Sequence, residues 1–295
     1  MSTLPSVSIG VPVYRAALQR DEAFALRHLN RHLAEYPLAW IAPDGLDLSA
    51  MARWRPDART LRFHPDYFRS ARDYSRLLLS EAFYRAFADH EFLLIHQLDA
   101  LVFSDQLAHW CARGDDYVGA PWIKQDASGH RWATGNSGFG LRRIDGMLRV
   151  LTSRRFSRAW PAGLVKHLAH IDQRARLVPE RMLRRLVPVT RDLELATNRW
   201  ANASIDDVRR RMFWTMQGGV RQYLDRITYP EDVFWAQVAP VFDRAYRVTP
   251  PDLAVRFAFE KEPRWCYEQT GRQLPFGCHA WWKYDRAFWE PFLIQ

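Results

Sequence analysis

Residues 6–14, SVSIGVPVY, form a continuous apolar, β-branched run ended by a proline, the pattern of a strand buried on both faces. RDEAFALRHLNRHLAEY follows, with Phe24, Leu26, Leu29 and Leu33 at helical spacing. PLAWIAPDGLDLS predicts a second strand that stops at Pro43-Asp44-Gly45. The polar HPDYFRSARDYSRLLLSEAFYRAFADH reads as a loop and then a helix beginning near Ser70 to Tyr74. EFLLIHQLDALVF gives a third strand, SDQLAHWCARG a helix or turn, and DYVGAPW a short further strand. Strand, helix, strand, helix, strand in this order predicts an α/β fold, a mostly parallel sheet with crossover helices. Ligands of such open sheets sit at the C-terminal strand ends, and Tyr14, Asp44 and Asp99 all fall there.

Beyond GNSGFGLRR the pattern changes. Residues from about 144 to 225 are arginine-rich and helical in spacing, broken at Pro161, Pro179 and Pro188. Loop-rich and strand-like segments return at RITYPEDVFWAQVAPVF, AVRFAFEKEP and LPFGCHAWWKYDRAFW. With no internal repeat, one domain over 1–295 carrying a basic helical insertion is the expected organisation.

Charge sharpens this picture through its distribution. The formal net charge is +9, and 38 of the 42 basic residues are arginine. Residues 141–226 hold 19 Lys/Arg against 8 Asp/Glu, so the remainder of the chain is about neutral. RRFSRAW, RMLRRLV and DDVRRRMFW are either solvated helix faces with snorkelling stems or a surface for anionic lipid or a lipid-linked pyrophosphate. Nucleic-acid binding is the alternative from charge and aromatics alone. No helix-turn-helix, zinc-finger or RNA-recognition signature supports it, so no nucleic-acid partner is expected. No apolar run approaches the ~20 residues of a spanning helix, and no secretory signal pattern opens the sequence. Cys111, Cys266 and Cys278 are odd in number and widely separated, which fits a reducing cytoplasm. A lipid-docking insertion would add peripheral attachment to the inner face of the cytoplasmic membrane.

Four segments carry chemistry. Asp99 follows Phe92-Leu93-Leu94-Ile95 and precedes Leu101-Val102-Phe103, where a carboxylate is costly unless paired or ligating. It either caps a turn or is delivered, with His96 and Gln97, to a metal or substrate; an oxygen ligand at a sheet edge suits Mg²⁺ or Mn²⁺. GNSGFGLRR is either a tight turn into a helix or a polar turn lying against a sugar ring; its spacing is not a phosphate-binding fingerprint. Glu231 and Asp232 in TYPEDVFW are acids at a helix N-terminus or a poised general base. His279 in LPFGCHAWWKYD is a core histidine or a ligand. The adjacent Cys278 cannot easily face the same metal, which argues against zinc.

The ordered blocks VPVY, QLDALVF, DYVGAPW, GNSGFGLRR, EDVFW, FAFE and PFGCHAW, from about Val7 to Trp289, resemble a family of largely uncharacterised glycosyltransferase-like domains, often encoded with surface-polysaccharide enzymes. The resemblance implies a GT-A-type fold. Its nucleotide-sugar-binding half would be 1–125 and its acceptor-binding half 126–295. On that basis Val11, Pro12, Tyr14 and Asp44 line a nucleotide pocket, and Arg72 and Tyr74 close over the nucleotide or its diphosphate. Asp99 matches the last position of a D-x-D motif whose first position is here Gln97, and His279 supplies a second ligand to a divalent cation, Mn²⁺ or Mg²⁺. Gly135, Asn136 and Gly138 border donor sugar and acceptor, while Asp232, with Glu231 beside it, is the base of an inverting transfer. The implied partners are a nucleotide-sugar donor and a glycan or lipid-linked glycan acceptor. A catalytically inactive, carbohydrate-binding relative is the other reading, since Gln97 departs from the motif.

Overall fold

The computed structural model describes residues 6–126, 129–153, 220–221, 223–225, 227 and 229–294. The bulk of the arginine-rich segment, 154–219, lies outside the described residues, and with it the lipid-docking expectation. The chain divides into two compact units: Met1–Met147 with Val248–Gln295, and Leu148–Arg247.

The first unit is built on a six-stranded sheet whose strands stand in the order Arg59–Phe63, Leu38–Pro43, Val7–Pro12, Phe92–His96, Phe139–Arg143, Tyr117–Gly119. β1 (Val7–Pro12), β2 (Leu38–Pro43), β3 (Arg59–Phe63) and β4 (Phe92–His96) run parallel, with Ile9 opposite Leu38 and Val7 opposite Phe92. Every residue of β1 and β4 is buried, as continuous apolar strands covered on both faces require. The helix α1 (Arg20–His32) returns the chain from β1 to β2 and packs Leu26 and Leu29 into the core with Val11, Trp40 and Leu94. After α2 (Ser49–Ala52), β3 is the edge strand; its residues are partly exposed or exposed, and its polar positions hid it from the hydrophobic pattern. The expected helix near Ser70 is α3 (Ala71–Leu78), followed by α4 (Glu81–Arg85).

After β4 the chain turns, and the sequence run that looks like one long strand is divided. Gln97–Ala100 form the turn, and β5 (Leu101–Val102) belongs to a different sheet. Next come α5 (Leu107–Ala112), β6 (Tyr117–Gly119) and a hairpin of β7 (Pro121–Asp126) with β8 (Gly129–Thr134). GNSGFGLRR departs from the turn-into-helix alternative: its turn enters β9 (Phe139–Arg143), antiparallel to β4, and only then α6 (Ile144–Leu151). The arginines disguised that strand. Arg142 is fully buried and donates from Nη1 to the Tyr84 hydroxyl at 2.7 Å, so a charge at a core position still belongs to the ladder.

The last part of the unit supplies β10 (Ala258–Phe259) and β11 (Gly277–Cys278), which with β5 form a second sheet of order β10-β11-β5. Beneath it lies an aromatic cluster of Phe259, Trp281, Phe288 and Trp289, with Cys266 and Cys278 packed inside. All three cysteines are free and buried, and burial pushes the Cys111 and Cys266 thiols up to about 12. They behave as apolar filling.

In the second unit, Arg149 pairs with Asp243 at 2.8 Å, and the rings of Tyr223, Phe234 and Phe242 pack tilted and edge-on into a small core. A one-turn helix, Glu231–Val233, follows Pro230 and continues into a π-helical turn, Phe234–Val238. Among the described residues no helix is long and apolar enough to cross a membrane.

Candidate functional site

β4 is the element that sets the site. Its ladder ends at His96, the Gln97 N–H donates to Gly138 O at 2.8 Å, and the Ala100 N–H closes a turn on Gln97 O at 3.0 Å. Leu98 is buried with the core, and the Asp99 side chain beside it is 28% exposed at the C-terminal end of the parallel strands.

The second sheet brings a distant segment to this turn. Cys278 pairs with Leu101, so the residue after it, His279, stands beside Gln97 and Asp99. The His279 N–H donates to Phe259 O at 2.9 Å and the Trp281 N–H to Asp99 O at 3.2 Å. Ala280 between them takes a left-handed φ of 51°, a conformation that costs a non-glycine residue free energy and recurs at functional positions.

The side chains then converge. His279 Nε2 lies 3.1 Å from Gln97 Oε1 and 3.3 Å from Asp99 Oδ1, and Nδ1 lies 3.2 Å from Glu260 Oε1. Glu260, buried at the end of β10, also accepts from Asn136 Nδ2 at 2.9 Å, and Asn136 Oδ1 accepts the Gly138 N–H at 2.8 Å. Gly138 is glycine for a steric reason: a Cβ there would stand 2.0 Å from His279 Nε2. Burial alone would push the His279 imidazole down. The Asp99 carboxylate first, and Glu260 after it, outweigh burial and bring it up to about 10. Burial likewise pushes Asp99 upward, but the charge of His279 beside it holds it below the usual carboxylate value.

Asp99 and Gln97 open onto a cleft of about 400 Å³. One wall is Pro12 and Tyr14 at the end of β1 with Arg15 and Glu22; another is Phe68, Arg69, Ser70, Ala71 and Tyr74; Leu98 and Trp282 complete it. Each wall has a local cause. Glu22 closes a capping box with Gln19 and pairs with Arg15, fixing the start of α1. Ser70 caps α3 by accepting from the Asp73 N–H at 3.2 Å.

Of the residues named from the sequence, Pro12, Tyr14, Tyr74, Gln97 and Asp99 line this one cleft. His279, Asn136 and Gly138 form the hydrogen-bonded layer against Gln97 and Asp99. Val11 is wholly buried in β1, and Gly135 is buried against Trp122. Asp44 is exposed in the turn after β2, and Arg72 is exposed on α3 one residue from the lining. Glu231 and Asp232 belong to the second unit; both are buried, and Asp232 Oδ1 accepts its neighbour's Val233 N–H at 2.8 Å. Sequence reasoning missed Arg15, Glu22, Arg69, Trp282 and Glu260. Glu260 carried the same signal as Asp99, an apolar strand (FAF) running directly into a carboxylate.

Among the described residues no group of three or more His, Cys, Asp or Glu is placed to hold a metal ion. The donor chemistry fits a hard divalent cation that draws its other ligands from substrate. Asp99 Oδ1 is buried without an aligned hydrogen bond, the Gln97 amide oxygen faces the same point, and His279 Nε2 can join them once its proton leaves.

The profile of the family described as Protein of unknown function (DUF5672) matches residues 57–279. The chain belongs to that family. No curated protein matches it. Among solved structures, a mannosyltransferase from Pyrobaculum calidifontis, in complex with GDP-Man and Mn²⁺, is similar at 20% identity and a TM-score of 0.30, over 40% of this chain and 36% of that one. This chain therefore spans about a third of that enzyme's length. The galactosyltransferase LgtC, bound to donor and acceptor sugar analogues, is similar at 13% identity and a TM-score of 0.42, over 92% of this chain and 86% of that one. Mouse xyloside xylosyltransferase 1 is similar at 11% identity and a TM-score of 0.46, over 93% and 97%.

Proposed function

We propose that this chain is a glycosyltransferase whose cleft binds a nucleotide-sugar donor and passes the sugar to a glycan or lipid-linked glycan acceptor. The observation that carries the proposal is the convergence of Asp99, Gln97 and His279 at the C-terminal ends of parallel strands, beneath a cleft of about 400 Å³ walled by Tyr14, Tyr74 and Trp282. Open α/β sheets bind nucleotides at this edge. The volume falls in the range of small-molecule sites, and aromatic walls with a few aimed polar groups are what such sites use.

Each group then has a task set by charge. Tyr14 and Pro12 offer an apolar face to a base, Tyr74 closes the opposite side, and Arg15 and Arg69 bring positive charge to a diphosphate. Asp99, with His279 and Gln97, would hold Mn²⁺ or Mg²⁺. A divalent cation there supplies charge neutralisation to the departing diphosphate. Asn136 and Gly138 fix the turn that borders the sugar. The acceptor hydroxyl needs a base as it attacks the anomeric carbon, and the resemblance gives that role to Asp232 with Glu231 beside it, which would invert the anomeric centre. The helix of these two acids runs into a π-helical turn, a feature frequent at functional sites.

A screen of nucleotide sugars with and without Mn²⁺ tests the proposal. One donor should raise Tm by several degrees and be hydrolysed slowly without acceptor. A chain that responds to no nucleotide or nucleotide sugar contradicts it.

A further inference from the structure

Glu260 is a buried carboxylate with two partners among the described residues, and none of the tasks above uses it. It stands at the end of β10, in the sheet that carries His279, and among the described residues its Oε1 is engaged by Asn136 Nδ2 at 2.9 Å and by His279 Nδ1 at 3.2 Å. Both contacts meet at the one oxygen, so the carboxylate ties two segments together. Through Asn136 the carboxylate holds the turn whose Gly138 carbonyl receives the Gln97 N–H; through His279 it holds the ring whose Nε2 faces Gln97 and Asp99. Gly138, with no side chain, lets the ring lie directly on that turn.

We infer that Glu260 is a positioning residue: it fixes the His279 ring so that Nδ1–H is spent on the carboxylate and Nε2 is presented to Gln97 and Asp99, and it locks the Asn136–Gly138 turn against the same ring. The physical reason is general. An imidazole has two nitrogens, and the partner of one decides what the other offers. An orienting carboxylate also removes ring rotation, which would otherwise have to be frozen when a ligand binds. The inference rests on the proposal that the cleft takes a nucleotide, but its first readout does not.

That readout is the ¹⁵N–¹H spectrum of the full chain labelled at histidine and asparagine, at fixed pH, with His279 and Asn136 assigned by loss of their signals in His279→Gln and Asn136→Ala. Glu260→Gln keeps the shape and an acceptor oxygen but removes the charge, and it should shift the His279 ring signals and the Asn136 side-chain amide together. If Glu260→Gln does not fold, Asn136→Ala removes the carboxylate's other partner and should move the same ring signals. Unmoved His279 signals in the folded variant overturn the inference. The second readout is calorimetric binding of UDP and of GDP, each with Mn²⁺. Binding should fall at least fivefold in Glu260→Gln and no further when that change is added to His279→Gln, because a residue that acts through His279 has nothing left to act on. An equal loss in both backgrounds shows a role independent of His279 and overturns it. Should the wild type bind neither nucleotide, the cleft proposal is what fails, and the spectra alone decide Glu260.

Discussion

His279 holds the charge balance of the site, since it lies between two carboxylates and against a glycine. At the residue scale the sharpest consequence is at Gly138. Gly138→Ala would place a methyl 2.0 Å from Nε2, and backbone on one side with a ring locked by Glu260 on the other leaves little room to yield. Overpacking of this kind costs about 1–3 kcal/mol, so a drop in Tm of several degrees is expected together with loss of Mn²⁺-dependent nucleotide binding, both read by thermal shift. His96 makes a separate prediction. It is fully buried against Phe139, and burial pushes its imidazole down to about 4. A depressed histidine binds its proton more readily in the unfolded chain, so its contribution is whole above pH 6.5 and is lost as the pH falls through about 4. The difference amounts to roughly 3 kcal/mol. Urea unfolding of His96→Leu should show a flatter stability profile across that window than the wild type; an unchanged slope would assign the acid sensitivity to other groups.

At the scale of elements, the site depends on which sheet edge each segment joins. The first strands and α1 were legible because they repeat with a clear period and end on proline or glycine, and Tyr14 and Asp99 could be set at strand ends from that alone. Less legible were pieces whose partners lie far along the chain. β5, β10 and β11 have two residues each, too short for any period, yet they carry His279 and Glu260 to the turn after β4. β9 was hidden by a buried arginine, and β3 by the polar positions of an edge strand. The same logic explains Arg15 and Glu22, whose pairing is a consequence of how α1 is capped. The α3 wall tests this scale: Ser70→Ala removes the cap and should cost about 1 kcal/mol, seen as a lower urea midpoint at unchanged m-value. Because Ser70, Ala71 and Tyr74 line the cleft, nucleotide binding should weaken with it.

At the scale of the molecule, the first unit contains the cleft, with its acids, amide and aromatic walls drawn from segments between Pro12 and Trp282. The proposed base, Asp232, belongs to the second unit, so donor binding and sugar transfer should separate by mutation. Asp232→Asn is expected to retain nucleotide affinity within about twofold while transfer falls by a factor of 100 or more, the range of general-base losses. Turnover unchanged in that variant removes Asp232 from the mechanism and leaves the cleft untouched. The most direct measurement of the central claim is isothermal calorimetry of UDP and GDP with Mn²⁺ on the wild type and on Asp99→Asn. Saturable binding of one nucleotide by the wild type, weakened at least tenfold in Asp99→Asn, is the predicted result; equal affinity in the two proteins, or binding of neither nucleotide, would contradict it.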